Sequence, residues 1–308
     1  MSATILKMKT TFISIIIFLT STFLFSQSEE SIRTGKNIIH ITTYGQGQPI
    51  LIINGGPGMN SNGFKALAEI LGKTNKAIIY DQRGTGKSLI PKVDINTITI
   101  DSMINDIEII RNHLNIEQWI IFGHSFGGML GSYYASKFPE KISGLILSSS
   151  GGINMDLFSR IDIMSRLSKP DRDSLNYWNA KIADGDTTYF ARLQRGKFLA
   201  PAYLFDKSNI PVVAERLTQG NQTINSLVYQ NMRKINFDCS EGLKKIKVPV
   251  LIIQGREDLI DRETAETAMK VLPYSTLVIL ENCGHYGWLD QPELYFRSIN
   301  EYLKSLKT

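Results

Sequence analysis

Two cysteines and four histidines in 308 residues leave no basis for a disulfide framework, and no His/Cys spacing suggests a metal site. The formal charge of +5 is spread along the chain without a basic cluster or an aromatic platform, so nucleic-acid binding has no support. Internal repeats and low-complexity linkers are absent. A nucleotide loop is also excluded: Arg83 to Ser88 (RGTGKS) ends like a phosphate-binding loop, but the full pattern needs glycine at position 81, where Asp81 stands. One long apolar run exists, from about Phe12 to Phe25, preceded by Lys7 and Lys9 and followed by Ser26-Gln27-Ser28. It is short of the roughly 20 apolar residues a membrane span needs. Residues 1–26 therefore read as a secretory signal peptide, with secretion or a periplasmic location and no stable membrane association after cleavage as the expectation.

What the chain does have is Gly123-His124-Ser125-Phe126-Gly127 between an apolar run, Gln118 to Phe122, and the small-residue stretch Phe126 to Lys137. Strand, sharp turn and helix are the context in which G-x-S-x-G lifts a serine hydroxyl to the end of a sheet. A serine needs a base, and the base needs an orienting acid. His40, His113 and His124 each have a structural reading, in a strand, at a helix end and within the turn itself. His285 lies instead in a glycine-rich loop, Asn282 to Gly287, after the strand-like Thr276 to Leu280. The candidate acid is Asp258, just past the apolar strand Val248 to Ile253, with Glu257 and Asp261 close enough to compete. Backbone amides of Phe126 and of Gly56, in the loop Asn54-Gly55-Gly56-Pro57-Gly58, are the candidate oxyanion donors. No cofactor is required by this set.

The order Ser, Asp, His is that of α/β-hydrolases. Four blocks, NGGPG (54–58), DQRGTGKS (81–88), GHSFGG (123–128) and GREDLI with GHYGWLDQPE (255–260 and 284–293), make the chain resemble the proline iminopeptidase-like members, which include the tricorn-interacting aminopeptidases. The resemblance spans nearly the whole mature chain. It implies an α/β-hydrolase fold and release of an N-terminal residue, often proline, from short peptides. Two departures stand out: Asn54 replaces the family's usual histidine before GGPG, and Leu259 follows the acid where some members carry an acidic residue for the substrate amine. Asp184, Asp186, Asp206 and Glu215 in the middle segment are the remaining candidates for that amine, none of them fixed by a motif.

Strand-like runs at 38–42, 50–53, 77–80, 119–122, 145–147, 250–253 and 277–279 alternate with helical patterns after the first hairpin, which predicts an α/β fold with a mostly parallel sheet. In Asp101 to Leu114, Met103, Ile104, Ile107, Ile110 and Leu114 form one face to bury, with Asp106, Glu108 and Arg111 expected on the other. Residues 27–150 and 239–308 form the two parts of the core. Residues 151–238, without a clear strand, read as an inserted helical lid whose aromatics, among them Tyr177, Trp178, Tyr189, Phe190 and Phe198, mostly form the lid's own core. Cys239 and Cys283 are expected to be free thiols. The sequence thus points to a secreted serine hydrolase acting on a short peptide or other small molecule. An aminopeptidase leads, a small-ester or lactone hydrolase follows, and a non-catalytic binder on the same fold comes last.

Overall fold

The computed structural model describes residues 27–306; the expected signal peptide, 1–26, lies outside them. Eight strands form one sheet: β1 (Gln27–Thr34), β2 (Asn37–Tyr44), β3 (Pro49–Ile53), β4 (Lys76–Tyr80), β5 (Trp119–His124), β6 (Ile142–Ser148), β7 (Val250–Gly255) and β8 (Ser275–Leu280), in the order β1-β2-β4-β3-β5-β6-β7-β8. β2 runs antiparallel to β1 and β4, and from β4 to β8 every pairing is parallel. Each of the seven apolar runs falls within one strand. The additional strand, β1, has the sequence QSEESIRT, with only Ile32 buried. Its polarity suits a sheet edge and carries no apolar alternation by which to recognise it.

The helices are α1 (Lys65–Leu71), α2 (Ile100–His113), α3 (Phe126–Lys137), α4 (Lys169–Ala183), α5 (Tyr189–Leu199), α6 (Ile210–Leu217), α7 (Gln222–Lys234), α8 (Ser240–Leu243), α9 (Arg262–Val271), α10 (Gly287–Asp290) and α11 (Pro292–Ser305). Alternate strand residues feed two apolar layers: Leu51, Ile121 and Ile252 join α2 and α3 on one face, while Ile52, Phe122 and Ile253 join α1 and α11 on the other. Burial on both faces is why these strands read as near-continuous apolar runs.

Two expectations need correction. Asp106 and Arg111 of α2 are buried rather than solvent-facing. Asp106 receives two hydrogen bonds from Arg83, at 2.8 and 2.6 Å, and Arg111 pairs with Glu108 at 2.8 Å, so each charge enters the interior with a partner. In the inserted segment, Tyr177, Tyr189 and Phe190 are exposed, and the local core is mostly aliphatic: Leu167, Leu175, Leu199, Leu204, Val213 and Leu217. The last lid helix, α7, instead sends Ile224, Val228 and Met232 into the main core, and Asn231 accepts a hydrogen bond from the first amide of α2 at 2.9 Å.

Candidate active site

The strand β5 ends at His124 and α3 begins at Phe126, leaving Ser125 alone in the turn with φ 57° and ψ −122°. A non-glycine residue there is strained by on the order of 1–3 kcal/mol. Neighbouring backbone holds it in place: Ser125 N–H donates to Ser148 O at 3.1 Å, and its own carbonyl accepts from Gly128 and Gly151 at 2.9 and 3.0 Å. Ser125 occupies the N-cap of α3, yet its side chain makes no capping bond, which leaves the hydroxyl to the cavity it lines. Glycine is required on the far side because a Cβ at position 127 would stand 2.0 Å from Ile53 O.

His285 sits in the loop after β8 and is held from two sides. Its amide donates to Tyr203 O of the lid at 2.7 Å, and its Nδ1 lies 2.8 Å from Asp258 Oδ1. Asp258 is itself buried and fixed: Oδ1 also accepts from the Ile260 amide at 3.0 Å, and Oδ2 accepts from Gln254 Nε2 at 2.9 Å. The two competing carboxylates are occupied elsewhere. Glu257 accepts from the Cys283 amide at 2.8 Å, and Asp261 caps α9 through the Glu263 amide at 2.9 Å. Gln254 escaped notice in the sequence, although a single amide at the end of the apolar strand VLIIQG was its signal.

Ser125, His285, Gly56 and Phe126 line one cavity of about 290 Å³ between core and lid. The Phe126 amide is at the first position of α3, where helix N–H groups lack intrahelical acceptors and the dipole favours negative charge. Gly56 takes φ 68°, a conformation that suits glycine. Its loop is braced by Asn54, whose Nδ2 donates to Gly55 O and Met59 O at 3.1 Å each, so the amide that replaces the family's histidine spans the loop. Asp81 accepts from Ser61 and from the Lys87 amide, tying the adjacent loops together.

Most of the remaining lining is apolar or aromatic, including Met59, Met129, Ile161, Leu259 and Tyr286; Asn225 and Arg216 also line the cavity, and among the described residues no carboxylate is part of it. The four lid acids considered for a substrate amine lie outside this lining. Asp184 ends α4 through its backbone amide, which donates to Ala180 O, while the carboxylates of the others are engaged: Asp186 accepts from Thr188, Asp206 caps a short turn through Ser208, and Glu215 accepts from the Tyr189 hydroxyl. The charged side chain that does line the cavity is Arg216 of α6, unforeseen from sequence; its position three residues after Val213, on the apolar face of IPVVAERL, is the available signal. His124, assigned only a structural role, is fully enclosed against the His285 ring, with centroids 4.7 Å apart. Burial, then the neighbouring His285 and Arg216, hold its pKa well below the ordinary imidazole value. Cys239 and Cys283 are free and buried.

A family model described as the alpha/beta hydrolase fold matches residues 48–292. The chain belongs to that family. Among curated relatives, the proline iminopeptidase of Lactobacillus helveticus is 28% identical over 277 residues, covering 83% of this chain and 89% of that protein. The proline iminopeptidase of Heyndrickxia coagulans is 29% identical over 281 residues, covering 85% and 92%. The structure of a proline iminopeptidase from Mycobacterium smegmatis gives a TM-score of 0.64 at 21% identity, covering 91% of this chain and 98% of that one. A thermophilic esterase from Thermogutta terrifontis gives 0.69 at 22%, covering 91% and 100%. At those identities the structural likeness speaks for the fold, and the hydrolase class rests on the family match and the iminopeptidase relatives.

Proposed function

We propose that this hydrolase is a serine enzyme in which Ser125 attacks a substrate carbonyl, His285 accepts the serine proton, and Asp258 orients His285. The 2.8 Å contact between His285 Nδ1 and Asp258 carries the reading, because it leaves Nε2 as the proton acceptor. The amides of Phe126 and Gly56 then stabilise the tetrahedral oxyanion, the leaving group departs with the proton returned by His285, and water releases the acyl-enzyme. A fluorophosphonate probe tests this: it is expected to label the wild type and not Ser125→Ala. Absence of labelling on a folded wild-type protein rules the serine mechanism out.

The iminopeptidase relatives support a peptide substrate whose N-terminal residue is released. A second reading, a hydrolase of small esters or of amides without a free amine, is favoured by the cavity itself, since an ammonium buried there would have no carboxylate to pair with. Prolyl and alanyl arylamides, their N-acetyl derivatives and p-nitrophenyl esters separate the two. An aminopeptidase cleaves only the free-amine arylamides efficiently, whereas equal cleavage of acetylated substrates makes the second reading the correct one. Export through residues 1–26 is part of the proposal, and N-terminal sequencing of protein recovered outside the cytoplasm is expected to begin near Ser26 or Gln27.

A further inference from the structure

Arg216 is 5% exposed and forms no ion pair among the described residues. Its hydrogen bonds go to groups without charge: Nη2 donates to Gly55 O at 3.0 Å, Nη1 lies 3.0 Å from Met59 Sδ, and Nε has no partner among the described residues. The guanidinium also lies over the Phe64 ring, 4.9 Å from its centroid. A guanidinium does not lose its proton in a protein, so the charge cannot be relieved by titration, and a buried unpaired charge is costly. Glu215, next in sequence, is exposed and engaged with Tyr189, so it does not neutralise its neighbour.

An adjoining cavity of about 720 Å³ shares Pro57, Met59, Ile163, Tyr203, Leu217 and Asn225 with the first. It is lined by Arg192 and Arg195 and, among the described residues, by no carboxylate. Arg195 donates to Asn179 Oδ1 at 2.7 Å, and burial lowers its pKa. The space leading to Ser125 is thus of one sign.

We propose that Arg216 is a specificity-determining residue that pairs with a carboxylate on the substrate, so that the enzyme prefers esters or amides bearing a free carboxylate over neutral ones. Arg192 and Arg195 draw the same anion toward the cavity. This rests on the serine-hydrolase reading and deepens it. A short peptide supplies such a carboxylate at its C-terminus, and a dicarboxylic monoester supplies it on the acyl part; the chemistry recognised is the same.

The test compares kcat/KM for two matched pairs. The p-nitrophenyl monoester of glutaric acid against p-nitrophenyl pentanoate places the anion on the acyl side. The pentanoate ester of para-hydroxybenzoate against that of para-hydroxybenzamide places it on the leaving group. In at least one pair the wild type is expected to favour the anion, and Arg216→Gln is expected to lower that anionic-to-neutral ratio by about tenfold or more, whatever happens to the neutral rate. Arg216→Lys should keep much of the ratio. A ratio unchanged in Arg216→Gln, or a wild type that prefers the neutral member of both pairs, overturns the proposal and leaves Arg216 as a brace for the Gly55 loop. If none of the esters turns over, glutarate should slow fluorophosphonate labelling of the wild type and not of Arg216→Gln; no slowing overturns the proposal. Failure to label Ser125 at all is a separate result, which removes the serine mechanism and this inference with it.

Discussion

His124 is fully buried, enclosed by the rings of Phe64, His285, Tyr286 and Trp288. Its pKa is depressed in the fold, so near and below the ordinary imidazole value of about 6.5 the unfolded chain binds a proton that the folded chain refuses. The stability this residue contributes is therefore complete above about pH 6.5 and falls on acidification, by up to about 1.4 kcal/mol per pH unit. Urea unfolding midpoints at neutral pH and near pH 5 should differ less in His124→Phe than in the wild type; identical pH slopes would dismiss His124 as the cause. Placements that follow from local chain context were legible in the sequence: Ser125 in a strand-turn-helix and His285 in a glycine-rich loop. Arg216 and the buried Asp106 were not, because a charge is burdensome inside only until its surroundings are known, and Arg83 lies 23 residues from Asp106 along the chain. The lid acids failed for the same reason in reverse. Charge and position made them candidates, whereas none of the four lines the cavity, and Asp186 and Asp206 accept turn bonds from their own neighbours.

At the scale of elements, the elbow depends on how closely β5, α3 and β3 approach. The strand was recognisable by its apolar run and the helix by its small residues, but the reason for those small residues is spatial: a Cβ on Gly123 would stand 2.4 Å from the Gly127 carbonyl oxygen, and one on Gly127 would meet the backbone of β3. An alanine at 127 would drive its methyl against the Ile53 carbonyl, which is backbone and cannot rotate away. Gly127→Ala is accordingly expected to destabilise by about 1–3 kcal/mol or more, and to displace Ser125 as it does so. Thermal unfolding and fluorophosphonate labelling rate should fall together in that variant. A Gly127→Ala protein with wild-type melting and labelling would mean that the turn is looser than described. β1, by contrast, was invisible because an edge strand with exposed polar residues is held by ladder hydrogen bonds to β2 rather than by apolar burial.

Across the whole molecule, the sheet separates what the chain order leaves unassigned. Cys239 packs in the layer with α2, α3 and α7, and Cys283 in the layer with α1 and α11, so the central sheet stands between the layers that hold the only two cysteines. A disulfide would require dismantling both layers, and an oxidising compartment outside the cell would not change that. Burial raises both thiol pKa values, with nearby carboxylates adding to the effect: Asp238 beside Cys239, and Asp290, Asp258 and Glu257 around Cys283. Thiolate, the reactive form, is thereby suppressed at both sites. Two consequences are measurable. A thiol reagent such as Ellman's should label neither cysteine in the native protein at neutral pH and both after denaturation, and the melting temperature should be the same with and without reductant. The remaining question is which opening exposes them first. Cys283 is two residues from His285, in a loop tied to the lid by the His285 amide to Tyr203 and by Asp290, which accepts from Gly284 and from the amides of Phe205 and Asp206. Local opening of that junction would expose Cys283 without unfolding the sheet, whereas Cys239, at the N-cap of α8 with its amide bonded to Ile153 O at 2.9 Å, packs in the main core. Slow labelling in low denaturant should therefore reach Cys283 before Cys239 and in step with loss of activity; equal labelling rates would mean that lid junction and core open as one unit.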